Sequence, residues 1–433
     1  MVGAEVALAP FVARREYFGC LIYDRAHSDY IPFDQDATEI FLRSQTQTLD
    51  EIYRDLSDKV TRQSFDQFIQ LCSSIELMKN GTFQGTFIES TSHERLKHLS
   101  APTMIYLQLT RYCNLACKHC WAEAGVARPR ELTILEVRDL IDQMAAMGTF
   151  KLRLGGGEPL GRGDWADIVA HANSRGIRVS LSTNATMATK AVAERLAELD
   201  IESIKVSLEA GSEKSYDYIR GDRAYRKAIR GIKNLIELSK APVYFHVVLQ
   251  KDNLTEIPSL VKTAEKHGVS RIVFDVVVPV GRAKENPRIL LTPDEASSAL
   301  DLARRIGETS RVEVEVAARV PPPYQKKRVF EGFGCECGHV HCHISSEGVV
   351  SAGGFVSHLL PGGSIREKSL AELWENGQGF KLLRGNPGNN VCKRCNYYRS
   401  CRGGCRTRTY ATIAALTEPD PLCLIARDTP PAG

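Results

Sequence analysis

No stretch of this sequence comes near the ~18 consecutive apolar residues that a bilayer-spanning helix requires, so a membrane protein is not expected. A basic leader is missing as well. Met1-Val-Gly-Ala-Glu-Val-Ala-Leu-Ala-Pro10 holds an acid and no lysine or arginine, a poor signal peptide. Both absences point to the cytoplasm. Charge of one sign is scarce too: 56 Lys and Arg against 52 Asp and Glu leave a dispersed +4, too little to make nucleic acid the expected partner. Cysteine, by contrast, is abundant, with 13 in 433 residues, and all but Cys20 and Cys72 fall in two tight groups. A disulfide framework belongs to short secreted chains, whereas clustered thiols in a cytosolic enzyme more often bind metal. Cys20 and Cys72, alone in apolar contexts, read as buried structural thiols.

The first group is Cys113-Asn-Leu-Ala-Cys117-Lys-His-Cys120, directly after Thr103-Met-Ile-Tyr-Leu-Gln-Leu-Thr110, which reads as a strand. A loop leaving a strand can fold three thiolates around one point. Three soft thiolates suit an iron–sulfur cluster or zinc. A closed zinc site wants a fourth ligand, and between Trp121 and Ser180 only His171 is on offer. A cluster with one iron open to a ligand from solution is favoured. The spacing, with aromatic His119 before the last cysteine, resembles the signature of the radical S-adenosylmethionine (SAM) enzymes. That resemblance implies a [4Fe-4S] cluster whose open iron is chelated by SAM. It also implies reductive cleavage of SAM to a 5′-deoxyadenosyl radical, with reduced flavodoxin or ferredoxin as electron donor.

Three domains are expected, at residues 1–95, 96–320 and 321–433. In the first, Glu16–Asp24 and Asp29–Phe33 look like a hairpin, with Arg25–Ser28 as its turn. A helical pattern begins at Thr38; a second follows Thr48, with Glu51 completing a capping box; a third runs over about 62–75. Hairpin plus helices resembles the small winged-helix-like α+β domain with which peptide-modifying enzymes hold their precursors, through strand addition to the hairpin edge. From Pro102 to Arg319 strands and helices alternate. Strands fall near 103–110, 151–154, 178–183, 203–208, 243–250 and 271–278. The radical SAM resemblance predicts an α/β fold here: a partial (β/α)6 barrel of the TIM type, with its site at the C-terminal strand ends. Pro321-Pro-Pro323 and Lys326-Lys-Arg328 mark the next boundary.

By the same resemblance the strand ends carry the SAM contacts. Gly156, Gly157 and Glu158 after the second strand hold the amino group. Ser182 and Asn184, then Ser207 and Glu209, meet the ribose and the methionine part. The family more often has Asp at the position of Glu209. Arg220 resembles the basic residue that pairs with the SAM carboxylate, and Pro279–Ala283 lies about the adenine. The second cysteine group is Cys335, Cys337 and Cys342, then Cys392-x2-Cys395-x5-Cys401-x3-Cys405, and Cys423. A zinc ribbon fits paired cysteines, but the run resembles the SPASM domain, which carries auxiliary [4Fe-4S] clusters. It implies one cluster on Cys392, Cys395, Cys401 and Cys423, and another on Cys405 with cysteines upstream. One family cysteine is absent, since Gly353 stands at its place. That leaves Cys342 and one of Cys335 and Cys337, so either the extra upstream cysteine takes the fourth place, or an iron stays open, or this cluster is lost and one auxiliary cluster remains. No catalytic acid or base stands out. The expected activity is that of an oxidoreductase resembling the maturases of mycofactocin and pyrroloquinoline quinone precursors. It would modify a ribosomally made precursor peptide by hydrogen abstraction, leaving a cross-link, thioether or oxidative product. The alternatives are a radical SAM enzyme for a small metabolite such as a haem precursor, and a zinc-stabilised binding protein.

Overall fold

Two strands set the first unit: Phe11–Glu16 (β1) and Gly19–Asp24 (β2), buried along almost their whole length. A computed structural model describes residues 9–88, 98–317, 335–385 and 390–427. The expected boundaries at 95/96 and 320/321, with Pro321–Pro323 and Lys326–Arg328, lie outside the described residues. The chain divides into two compact units, Met1–Ala101 with Ala145–Phe150, and Pro102–Met144 with Lys151–Gly433.

In the first unit β2 pairs antiparallel with both β1 and β3 (Asp29–Asp34), the latter giving the expected hairpin. Helices α1 (Gln35–Arg43), α2 (Leu49–Leu56) and α3 (Arg62–Ser74) follow. Then come the two-residue strands β4 (Met78–Lys79) and β5 (Thr82–Phe83), and β6 (Gly85–Ile88), which lies parallel to β1. The sheet order is β3-β2-β1-β6. The expected hairpin therefore gains two strands. Strand β1 is separate from β2 because the chain turns at Tyr17–Phe18, and the charged Arg14, Arg15 and Glu16 hid its apolar alternation. Arg14 is in fact fully buried, donating to Glu16, Gly148 O and Ala101 O within this unit. On one face Phe11, Ala13, Cys20 and Ile22 pack with Phe41 and Cys72 of the helices. Thr48 and Glu51 form the capping box reciprocally, at 2.8 and 3.4 Å. Because breaking a buried ion pair strands its partner, Arg14→Ala is expected to destabilise this unit by about 3–5 kcal/mol. A fall in the denaturant midpoint of a spectroscopic probe in α1–α3 measures it.

The second unit is built on a ten-stranded sheet. Strands β7 (Met104–Thr110), β8 (Lys151–Gly156), β9 (Arg178–Thr183), β10 (Ile201–Ser207), β11 (Val243–Leu249), β12 (Arg271–Val276) and β13 (Glu313–Val316) run parallel in sequence order. Between them lie α4 (Ile134–Ala146), α5 (Trp165–Ser174), α6 (Lys190–Ala197), α7 (Glu213–Arg220), α8 (Ala224–Leu238), α9 (Ile257–His267), α10 (Arg282–Glu285) and α11 (Pro293–Gly307). The alternation is the α/β pattern expected, with one strand more than six: β13 has only four residues, two of them glutamates. On the far side of β7 the sheet continues with β14 (His341–Ile344), parallel to it, then β15 (Val349–Ser351) and β16 (Pro361–Ser364), antiparallel. The cysteine-rich end thus shares one unit with the parallel sheet. Among the described residues no helix is long and apolar enough to cross a membrane.

Candidate active site and cysteine-rich region

The loop leaving β7 is fastened at both ends. Cys113 N donates to Gly125 O, Lys118 N to Ile219 O at the end of α7, and Cys120 N to Cys117 O. Arg282 closes it from the far side, with Nε on Cys117 O, Nη1 on Ala124 O and its amide on Cys120 O. The resemblance implies only a place about the adenine for Pro279–Ala283, whereas Arg282 here fastens the loop. The glycine–arginine pair after β12 is the signal that was available.

Beside this loop the end of β8 comes so close that only glycine fits. A Cβ on Gly157 would lie 1.9 Å from Tyr112 O. Gly157 N and Glu158 N donate to Thr110 O and Tyr112 O, both at 2.7 Å. Glu158 is fully buried. Its carboxylate accepts from Thr183 Oγ1 at 2.6 Å and Asn184 N at 2.7 Å, tying β8 to β9. Burial pushes its pKa up to about 6, against the pull of those hydrogen bonds. Asn184 turns its amide to Asn114 Oδ1 at 3.1 Å and to Cys113 Sγ at 3.8 Å. Buried Glu209 pairs with Arg220 Nε, and its other oxygen is 3.6 Å from His119 Nε2. Burial works against the charge on Arg220, but Cys117 and Glu209 beside it hold its pKa well above the usual value. Burial also pushes the Cys117 thiol up to about 12 and His119 down to about 4.

The structure therefore gathers Cys113, Cys117, Gly157, Glu158, Asn184, Glu209 and Arg220 in one hydrogen-bonded and ion-paired neighbourhood, with Cys120 at the end of the same loop. Gly156 joins it at the end of β8. Ser182 and Ser207 stand on β9 and β10, Ser182 with a buried hydroxyl that lacks a hydrogen-bond partner, as do His119 Nδ1 and Glu209 Oε1. Three thiols on a strand-end loop, flanked by unsatisfied polar atoms, suit a thiolate-held iron–sulfur cluster and a polar ligand next to it.

In the C-terminal region Cys392, Cys395, Cys401 and Cys423 line a single cavity of about 230 Å³, with Gly403, Gly404 and Tyr397. Four thiols on one cavity also fit a cluster. Asp420 borders it and was missed by sequence reading. It accepts from Cys405 N at 2.7 Å and from Arg408 at 2.9 and 2.6 Å, and both side chains are buried. Cys405 Sγ meets Thr407 Oγ1 at 3.3 Å and Cys337 Sγ meets it at 4.0 Å, while the Cys335 sulfur beside Cys405, with burial, pushes the Cys405 thiol well above its usual pKa. Cys342 follows His341, the neighbour of Cys337, in the chain. It is buried in β14, with Arg384 nearby, and burial pushes its thiol up to about 12.

A family model described as the Radical SAM superfamily matches residues 107–264. The mycofactocin maturase MftC of Mycobacterium tuberculosis (strain CDC 1551 / Oshkosh) is 31% identical over 336 residues, which span 77% of this chain and 85% of its own. The AdoMet-dependent heme synthase of Methanosarcina barkeri is 30% identical over 344 residues, 75% of this chain and 97% of its own. Among solved structures, Streptococcus suis SuiB bound to precursor peptide SuiA shares the fold. The TM-score is 0.72 over 96% of this chain and 98% of that one, at 15% identity.

Proposed function

The chain belongs to the radical SAM superfamily, and from that premise we propose that it modifies a ribosomally synthesised precursor peptide by hydrogen abstraction. The observation that carries the reading is the loop of Cys113, Cys117 and Cys120 held at the strand ends against Gly157 and Asn184. When bound there, a [4Fe-4S] cluster with SAM supplies a hydrogen-abstracting radical. The chain's own part is to hold, orient and exclude water. The three thiols hold the cluster once they shed the protons that burial favours on Cys117. Gly156 and Gly157 let the end of β8 close on the start of the cysteine loop, and Glu158 ties β8 to β9. Ser182, Asn184, Ser207, Glu209 and Arg220 would line the polar groups of SAM. Cys392, Cys395, Cys401 and Cys423 hold an auxiliary cluster in their cavity, and reduced flavodoxin or ferredoxin delivers electrons in the cytoplasm.

A peptide is favoured over a small metabolite by the relative named a maturase, by the SuiB structure with its bound precursor, and by the separate first unit. The heme synthase likeness supports the rival substrate class. The deciding incubation is anaerobic, with SAM, dithionite and the peptide encoded beside the gene. Formation of 5′-deoxyadenosine together with a change in peptide mass supports the proposal. Deoxyadenosine with an unaltered peptide counts for the rival, and no deoxyadenosine counts against both.

The peptide's place is the open edge of β3, an end strand whose residues are half-exposed or exposed. Adding the precursor is expected to slow amide exchange of Asp29–Asp34 at least several-fold. Unchanged exchange across β3, with peptide bound, tells against strand addition.

A further inference from the structure

The Thr407 hydroxyl, in the first turn of the helix Arg406–Ile413, is a point on which metal-binding side chains converge. Cys405 Sγ lies 3.3 Å from Thr407 Oγ1 and Cys337 Sγ 4.0 Å from it. The Cys335 sulfur beside Cys405 helps hold the proton on the Cys405 thiol, raising its pKa well above the usual value. His341 Nε2 is 3.4 Å from Cys337 Sγ. The backbone explains how residues so close in sequence meet. Glu336 O accepts from the amides of His339, Val340 and His341, so the chain doubles back, and Cys337 and His341 form a bridge.

Cys342 does not join them. It follows His341 in β14, where successive side chains point to opposite faces, and it is fully buried with Arg384 nearby. Position 353 borders the same site but supplies no ligand. A Cβ on Gly353 would sit 3.2 Å from Cys337 Sγ and 3.0 Å from Thr407 Cγ2.

We propose that Cys335, Cys337, Cys405 and the Nε2 atom of His341 together hold the inner iron–sulfur cluster, with Cys342 outside the ligand set. This rests on reading the chain as a radical SAM enzyme with auxiliary clusters. In a cluster each donor takes its own iron, so Cys337 Sγ and His341 Nε2, which meet here at 3.4 Å as a thiol and an imidazole, would part on loading; among the described residues no three Cys, His, Asp or Glu side chains form a site for a single metal ion. Imidazole is an accepted iron ligand, and a neutral ring in place of a thiolate removes one negative charge, which raises the reduction potential. A cluster so held accepts an electron more readily than an all-thiolate one. The outer set, Cys392, Cys395, Cys401 and Cys423, contains no histidine and provides the internal contrast.

The test uses the full chain with Cys113, Cys117 and Cys120 replaced by alanine, so that the remaining signals come from the C-terminal region. Pulsed electron paramagnetic resonance of the reduced protein, with natural and 15N-labelled histidine, reads any nitrogen bound to iron. The expected result is a strong, isotope-sensitive coupling of a directly bound imidazole. It disappears in His341→Cys, a variant that keeps its iron, and persists unchanged in Cys342→Ala. The assignment is overturned by no histidine coupling in the parent, by a coupling that survives His341→Cys, or by loss of about four irons per chain in Cys342→Ala. SAM cleavage by the unaltered chain is recorded alongside. Its absence tells against the function proposed above, whereas the spectra bear on the ligands alone.

Discussion

Replacing Cys113, Cys117 and Cys120 together by alanine brings reductive cleavage of SAM down to the rate seen without enzyme. The same variant loses about four irons per chain and retains the rest. All three thiols lie on the loop leaving β7, and the loop's backbone is fixed by Gly125, Ile219 and Arg282 independently of the sulfur atoms. Removing the sulfurs therefore removes the ligands without removing the loop. The cysteines of the C-terminal region belong to other elements and another cavity, so their iron stays. Deoxyadenosine production under dithionite and total iron are the two readouts. Continued production by the triple variant would refute the central assignment. Unchanged iron would mean that this loop never held a cluster.

Gly157→Ala is expected to lower SAM cleavage by about 100-fold, the scale of loss that a displacement near 1 Å produces in a positioned site. The added methyl lands 1.9 Å from Tyr112 O and 2.6 Å from its carbonyl carbon, which is backbone and has no rotamer to escape into. Relief requires the end of β8 to separate from the start of the cysteine loop. That separation breaks the 2.7 Å bond from Glu158 N to Tyr112 O. Overpacking of this kind also costs stability, about 1–3 kcal/mol. Gly163→Ala is the control, because a Cβ there meets nothing within 4 Å. The pair separates a close backbone approach from a general preference for glycine. Equal activity in both variants would show that the approach at Gly157 is not needed for chemistry.

Some of this was legible in the residues and some was not. The cysteine spacing after an apolar strand announced the loop, and alternating strands and helices announced the parallel sheet, because both patterns are local. Glu158 was visible as an acid after glycines, but its bonds to Thr183 and Asn184 come from the next strand and leave no local trace. Arg14 gives no sign of its burial in the sequence, for a physical reason. A buried arginine satisfied by Glu16 and two carbonyl oxygens looks, in one dimension, like a surface charge. Asp420 was invisible on the same grounds: a single acid whose partners are Cys405 N and Arg408, both many residues upstream. Which of the upstream cysteines face Thr407 depended on a turn at Glu336 and on strand alternation beyond it, and spacing alone does not fix either.

The parallel pairing of β7 with β14 has a consequence for how the protein is made. Met104–Leu107 align with His341–Ile344, so the strand that leads into the cysteine loop waits for a neighbour about 240 residues further along the chain. At roughly 5–20 residues per second, synthesis leaves that edge of β7 unpaired for roughly 10–50 s. Its hydrogen-bonding groups are then open to wrong partners, and a pairing so distant in sequence is slow to form. Iron delivered during this interval would meet Cys113, Cys117 and Cys120 before β14 exists and before the C-terminal thiols have left the ribosome. The order of translation would thus separate in time the filling of the two proposed kinds of metal site.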